Sequence, residues 1–165
     1  VMDGSEGMRS AVSEYHMRLP ERRVTMRPGD SLDVVGTPVI VTPTRHTDAS
    51  GVGLIFRTSA GDISYMGDTN PNRTVTESHK GSRVLILNVT RPFGARLRCH
   101  LCSEDVADIV ETVRPEMTVL THMGVKMVQE GPEEQARRIA EICDSKILAA
   151  RDLMRLDIGD VITVR

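Results

Sequence analysis

Aromatic side chains are scarce in this chain of 165 residues, which has two Tyr, two Phe and no Trp. Single-stranded nucleic acid is commonly bound by stacking its bases on aromatic side chains, so this scarcity argues against such a platform. An excess of positive charge is also missing, because the formal net charge is −2. The charge therefore gives no indication of a nucleic-acid partner, although a local basic patch would be compatible with one.

Long apolar runs are absent as well. No stretch approaches the length of a membrane span, and no charged-then-apolar signal segment opens the chain. We therefore expect no membrane partner and a cytoplasmic location. The three cysteines, Cys99, Cys102 and Cys143, are too few and too odd in number for a disulfide framework. The length predicts a single domain over residues 1–165.

The order of apolar segments predicts an α/β fold, mostly β in the first third and then alternating β-α-β-α-β. Segments rich in β-branched and apolar residues predict strands at residues 22–26, 31–35, 38–42, 51–58, 62–66, 83–90, 116–122, 146–150 and 160–165. A helix is predicted from an N-cap at Ser103 to a stop before Pro115, and a second one begins at Pro132. Residues 8–20 carry a weak helical pattern, and residues 70–82 are predicted to form a loop or a short helix.

Four side chains that can bind metal or transfer protons follow predicted strands: His46, Asp68, His100 and His122. In α/β sheets, sites are commonly built at the carboxyl ends of the strands. Imidazole and carboxylate together suit zinc, and also iron or manganese. Each residue taken alone is more often a loop or turn residue, so the prediction rests on the coincidence of all four. His16 and His79 stand in polar surroundings and are interpreted as residues without a functional role.

The segment Cys99-His-Leu-Cys102 allows a second hypothesis, because C-x-x-C can be a redox dithiol or half of a zinc knuckle. A knuckle needs a second cysteine pair, and the only other cysteine is Cys143. A thioredoxin-like site would begin a helix directly after a strand near the start of the chain, which this segment does not. Packing is the favoured explanation of the pair.

Several segments together resemble the metallo-β-lactamase superfamily, and most closely its uncharacterised archaeal members. They are "TRHTDASGVGLIF", "ISYMGDTN", "HLCSEDVADIVETVRPEMTVLTHMG" and "ILAARDLMRLDIGD". In that superfamily a His precedes a hairpin that leads to Gly-Asp-Thr, and a later Leu-Thr-His supplies the last ligand. The resemblance implies the superfamily's α/β architecture, an αββα sandwich, of which this chain would cover mainly the C-terminal half.

The resemblance also implies roles for the four residues. His46 would bind one metal ion and His122 another, while Asp68 would bridge the two. His100 resembles the catalytic His that lies near the scissile phosphate in the ribonuclease Z-like branch. The implied activity is that of a metal-dependent hydrolase in which two zinc ions activate a water molecule. Phosphodiesters or phosphoesters are the favoured substrates, and ester, thioester or lactone hydrolysis is the alternative.

One signature of the superfamily, His-x-His-x-Asp-His, is absent from the sequence. In the family this motif comes earlier than the segment that matches residue 1. Each metal would therefore have two protein ligands here, whereas a catalytic zinc normally has three. We expect the chain to bind metal weakly or singly, with the missing N-terminal half or a second copy as its partner. The alternative is a non-catalytic or truncated member of the fold that acts as an interaction module.

Overall fold

The computed structural model describes residues 12–165, which form one large sheet and a two-stranded ribbon. The sheet has the order β1-β2-β3-β4-β5-β7-β8, and the short strand β6 pairs with β5. Its strands are β1 (Ser31–Val34), β2 (Thr37–Pro43), β3 (Val52–Thr58), β4 (Gly61–Met66), β5 (Val84–Arg91), β6 (Leu101–Cys102), β7 (Met117–Thr121) and β8 (Ile147–Ala149). The ribbon consists of β9 (Leu156–Ile158) and β10 (Ile162–Val164).

The sheet is antiparallel in its first part and parallel in its second. Strands β1 to β4 pair antiparallel with their neighbours, whereas the pairs β4–β5, β5–β7 and β7–β8 are parallel. Parallel strands require long crossovers, which helices supply here. The carboxyl ends of β4, β5 and β7 consequently lie at one edge of the sheet, and the segments after them meet there.

Five helices are described: α1 (Glu14–Arg18), α2 (Arg73–Glu77), α3 (Ser103–Val113), α4 (Val125–Gln129) and α5 (Pro132–Cys143). Because side chains alternate along a strand, Leu85 and Leu87 of β5 point to one face and Val84 to the other. The leucines belong to the main hydrophobic core, together with apolar residues of α2, α3, α4 and α5. Val84 belongs to a smaller cluster that the β9–β10 ribbon covers.

The predicted α/β class is confirmed, and most of the predicted strands lie within one or two residues of the observed ones. The strand predicted at 22–26 is wrong, because residues 22–26 form no helix or strand and pair with no strand in the described part of the chain. Strands β6 and β9 were not predicted, since elements of two or three residues depend on a pairing partner more than on their own sequence.

Both long helices end and begin close to their predicted positions. Helix α3 stops before Pro115, with Arg114 in the left-handed conformation at its C-cap, and α5 begins at Pro132. The predicted N-cap at Ser103 is wrong by one residue. Cys102 is the N-cap, and the Asp105 side chain accepts a hydrogen bond from its backbone N–H. Of the weak helical pattern at 8–20, the structure contains α1, and residues 8–11 lie outside the described part.

Candidate metal centre

The four predicted site residues come together at the carboxyl edge of the sheet. His46 follows β2, Asp68 follows β4, His100 precedes β6, and His122 follows β7. One ligand atom from each of His46, Asp68 and His100 lies within 4.8 Å of the other two. His122 approaches the same carboxylate, with its Nε2 3.4 Å from Asp68 Oδ2.

Asp68 is the centre of this cluster because its two oxygens face different imidazoles. Asp68 Oδ1 lies 3.7 Å from His100 Nδ1, on the opposite side from the His122 contact through Oδ2. The rings of His46 and His100 pack edge to face, with their centroids 5.3 Å apart. A carboxylate with three imidazoles around it is a donor set that suits zinc and related transition metals. The residues therefore fit a divalent metal ion.

The loop that carries Asp68 is tied to the loops that carry two of the histidines. The Thr69 hydroxyl accepts a hydrogen bond from the Arg45 amide (2.8 Å), and the Asn70 amide donates to the Arg45 carbonyl (2.8 Å), which fixes the segment before His46. The Asn70 side chain accepts a hydrogen bond from the Cys99 amide (2.7 Å), directly before His100. The sequence Asp-Thr-Asn thus connects the separate pieces of the cluster.

Two residues at the cluster have a left-handed backbone, which side chains other than Gly rarely adopt. His122 has φ 54° and Cys99, next to His100, has φ 66°. Such conformations cost of order 1–3 kcal/mol and occur often at functional sites, where the surrounding structure holds them. At His122 and beside His100, the turn aims an imidazole at Asp68.

The orientation of His46 has a consequence for its protonation. The Asp48 amide donates a hydrogen bond to His46 Nδ1 (3.2 Å), so the neutral ring carries its proton on Nε2. Metal binding through Nε2 would require the proton to move to Nδ1 and this hydrogen bond to break. The contact with Asp48 is long for a hydrogen bond, so its loss is a small cost.

Sequence reasoning missed two residues of β5 that support the cluster. Asn88 Nδ2 donates to Asp68 Oδ1 (3.0 Å), and Thr90 Oγ1 lies 3.3 Å from His100 Nδ1. The sequence signal for Asn88 was its position inside the apolar run "RVLILNVT", because a strand that is buried on both faces rarely contains a polar residue. Gly124, after His122, donates its amide to the Thr90 carbonyl (3.1 Å) and so joins the end of β7 to β5.

His79, whose neighbours in the sequence are polar, is completely buried beneath the β2–β3 hairpin. Its Nε2 lies 3.2 Å from Thr42 Oγ1, and its Nδ1 has no hydrogen-bond partner among the described residues. Burial lowers the pKa of His79 from 6.5 to about 4. This imidazole is neutral at pH 7 and does not belong to the Asp68 cluster.

The cysteine pair does not have the properties of a redox dithiol. Both thiols are free and buried, and the Cys102 thiol donates to Asp105 Oδ2 (2.9 Å). Burial is the main cause that raises the pKa of Cys102 to about 12. Because the thiolate is the reactive form, Cys102 is inert near neutral pH and serves the start of α3.

The described residues contain no helix that is long and apolar enough to span a membrane.

Comparison with known proteins gives one close relative of this chain in sequence. The uncharacterized protein MJ1374 from Methanocaldococcus jannaschii is 34% identical over 153 residues, which is 92% of this chain. The chain spans 57% of the length of that relative.

Solved structures share the fold at low sequence identity. The metallo-beta-lactamase fold protein YhfI from Bacillus subtilis matches with a TM-score of 0.67 and 11% identity, over 85% of this chain and 54% of YhfI. A diphosphatase from the PhnP family matches with a TM-score of 0.60 and 21% identity, over 75% of this chain and 44% of the diphosphatase. The family model described as the beta-lactamase superfamily domain matches residues 5–123. The chain therefore belongs to the beta-lactamase superfamily and has the metallo-β-lactamase fold.

Proposed function

We propose that this chain carries part of the active site of a metal-dependent hydrolase that acts on phosphodiesters or phosphoesters. In this proposal Asp68 would be a ligand shared by two zinc ions, and His46 and His122 would each be a ligand of one of them. The observation that carries the proposal is that His46, His100 and His122, from separate segments of the chain, all lie close to the Asp68 carboxylate. Iron or manganese would suit the same ligands.

The bound metal would supply one element of the chemistry, a water ligand whose pKa is lowered towards 7. The protein side chains do the rest. Asp68 is only about a quarter exposed, so its charge is less screened than at an open surface. His100 contacts Thr90 and faces Asp68, which supports a role in which it donates a proton to a leaving group. The geometry is also compatible with His100 as a third ligand beside His46 and Asp68.

The charge near the cluster favours an anionic substrate. The connection from β5 to β6 carries His100 and contains Arg96 and Arg98 but no acidic residue. Arg96 is paired with Asp105, whereas Arg98 is exposed two residues before His100. A guanidinium group suits phosphate oxygens through paired hydrogen bonds. The diphosphatase with the same fold is named for a phosphate substrate, which agrees with this proposal.

The proposed centre is incomplete with the residues described. Each metal would have two protein ligands, and catalytic zinc sites usually have three. Further ligands would come from a segment of a longer protein or from a second copy of this chain. The chain covers 54% of YhfI and 57% of MJ1374, which leaves room for such a segment in the relatives.

Hydrolysis assays after zinc addition test the proposal. The substrates are bis(p-nitrophenyl) phosphate, a phosphodiester, and p-nitrophenyl acetate, a carboxylic ester. We expect the diester to be the better substrate, and His100→Ala to lower kcat by roughly 100-fold or more while zinc content is unchanged. The matched control is Asp108→Asn on the exposed side of α3, which should leave the rate unchanged.

Each other result has a defined meaning. Faster cleavage of the acetate would contradict the phosphoester class. Loss of zinc from His100→Ala would make His100 a ligand rather than a catalytic residue. Zinc binding without any hydrolysis would mean either that catalysis needs an assembly that completes the site or that the chain is a non-catalytic interaction module.

A further inference from the structure

Asn88 is a polar residue in the middle of a buried apolar strand. Its side chain is 6% exposed, and its neighbours Leu87 and Val89 are completely buried. Its amide Nδ2 donates a hydrogen bond of 3.0 Å to Asp68 Oδ1. The amide is thus directed at the carboxylate on which the proposed metal centre depends.

The stability of the fold does not explain this residue. Asn88 Oδ1 is buried and has no hydrogen-bond partner among the described residues. A buried acceptor without a partner costs about 1–3 kcal/mol, which an aliphatic side chain at the same position would avoid.

Asn88-Val89-Thr90 also matches the pattern for glycosylation, but a buried amide that is bonded to Asp68 is not an accessible acceptor.

We propose that Asn88 is a positioning residue of the metal centre, which holds the Asp68 carboxylate in the rotation that presents both oxygens to the histidines. The inference rests on the proposed function of Asp68 as a metal ligand. Each carboxylate oxygen has two lone pairs, so Asp68 Oδ1 can accept from Asn88 and keep one lone pair for a cation. Asp68 Oδ2, which Asn88 does not touch, stays directed towards His122.

The strand geometry supports the same role. Residues two apart on a strand point to the same side, and Thr90 makes the corresponding contact with His100. The end of β5 therefore supports two members of the cluster through two successive same-side residues. Side chains behind a metal ligand commonly fix its orientation, and their loss weakens metal binding or activity.

The test compares two substitutions that each remove a buried polar atom without a partner. Asn88→Leu removes the amide beside Asp68. Thr118→Val removes a buried hydroxyl that also lacks a partner, on β7 opposite Leu85 and near the other end of the strand. Zinc affinity is measured by calorimetric titration of the metal-free chain, and its free energy of unfolding is measured with urea.

We expect Asn88→Leu to weaken zinc binding by about 10–100-fold while stability is unchanged or increased. Thr118→Val should leave zinc affinity unchanged and should not lower stability. Unchanged zinc affinity in Asn88→Leu would overturn the positioning role, and so would a loss of stability large enough to account for the weaker binding. Asn88→Ala, which removes the amide without adding bulk, replaces the leucine variant if that variant does not fold.

Asp68→Asn in the same titration separates this inference from the proposed function. If Asp68→Asn abolishes zinc binding and Asn88→Leu does not change it, the positioning role fails and the function of Asp68 stands. If Asp68→Asn binds zinc as tightly as the wild type, the proposed function fails and the inference fails with it. The absence of saturable zinc binding by the wild-type chain would overturn both.

Discussion

Histidine occurs in two contrasting regions of this protein. In the His79 region, the ring is packed under the hairpin against Thr42 and Gly53, shielded from solvent and neutral. In the Asp68 cluster, formed by His46, Asp68, His100 and His122, the rings are partly exposed and surround a carboxylate. Both regions contain histidine, but the ring of His79 is buried away from charged groups, whereas the rings of the Asp68 cluster lie beside a carboxylate.

The difference shows which sequence feature carries information about function. His79 follows a helix, α2, and among the described residues no ion pair joins its ring to an acidic side chain. The three histidines of the cluster follow or precede strands that end at a single edge of the sheet. Position at a strand end, rather than the presence of histidine, is therefore the feature that predicts a candidate site.

The largest expected effect is the loss of folding stability at low pH that the buried ring of His79 causes. Unfolded His79 takes up a proton below its ordinary pKa of 6.5, whereas folded His79 does so only below about 4. Stability due to its neutral form is therefore present above pH 6.5 and lost as the pH falls to about 4, by about 3 kcal/mol. Urea unfolding at both ends of this window should show a smaller loss for His79→Leu than for the wild type. Equal losses would contradict a neutral buried ring.

Substitution of Gly53 perturbs the His79 region, and substitution of Gly124 perturbs the Asp68 cluster. A Cβ at Gly53 would clash with Thr42 Oγ1 and lie 2.8 Å from the Tyr65 carbonyl oxygen, and one at Gly124 would lie 2.6 Å from the Thr90 carbonyl oxygen. We expect Gly53→Ala and Gly124→Ala each to cost about 1–3 kcal/mol of stability. Only Gly124→Ala should also weaken zinc binding, because Gly124 lies two residues after His122, a proposed metal ligand that contacts Asp68.

Thermal unfolding and zinc titration of both variants check this prediction. The two regions are independent if Gly53→Ala changes stability alone. An equal loss of zinc affinity in both variants would contradict this, because it would show that zinc binding depends on the stability of the whole sheet.

The smallest effect is expected from Thr90→Val, which keeps the shape of the side chain and removes its hydroxyl. The contact between Thr90 and His100 is 3.3 Å long, so stability should change by about 1 kcal/mol or less. If His100 transfers a proton, the rate of diester hydrolysis should fall by about 10-fold with zinc content unchanged. Steady-state kinetics and metal analysis of the same preparation check this, and an unchanged rate would make the contact incidental.

The sequence was sufficient to bring the four cluster residues to one edge of a sheet. The apolar runs around Leu85 and Val119 predict parallel strands, and residues after such strands share an edge. The sequence did not reveal the supports of the cluster. Thr69 and Asn70 act through contacts with segments 24 to 29 residues away, which no local pattern encodes.

Tertiary context also decided the elements that were predicted wrongly. Residues 22–26 have strand-like composition, but no neighbouring strand pairs with them in the described part of the chain. The polar surroundings of His79 in the sequence gave no sign that the turn after α2 would bury its ring. Asn88 is a partial exception. The sequence shows a single polar residue in an apolar strand, but it does not show that Asp68 is its hydrogen-bond partner.

Native mass spectrometry of the purified chain after zinc addition tests the central claim, that Asp68 holds metal, most directly. The account predicts that the wild-type chain binds zinc, that Asp68→Asn binds none, and that the control Asp108→Asn binds as the wild type does. Zinc binding by Asp68→Asn equal to that of the wild type would contradict the account.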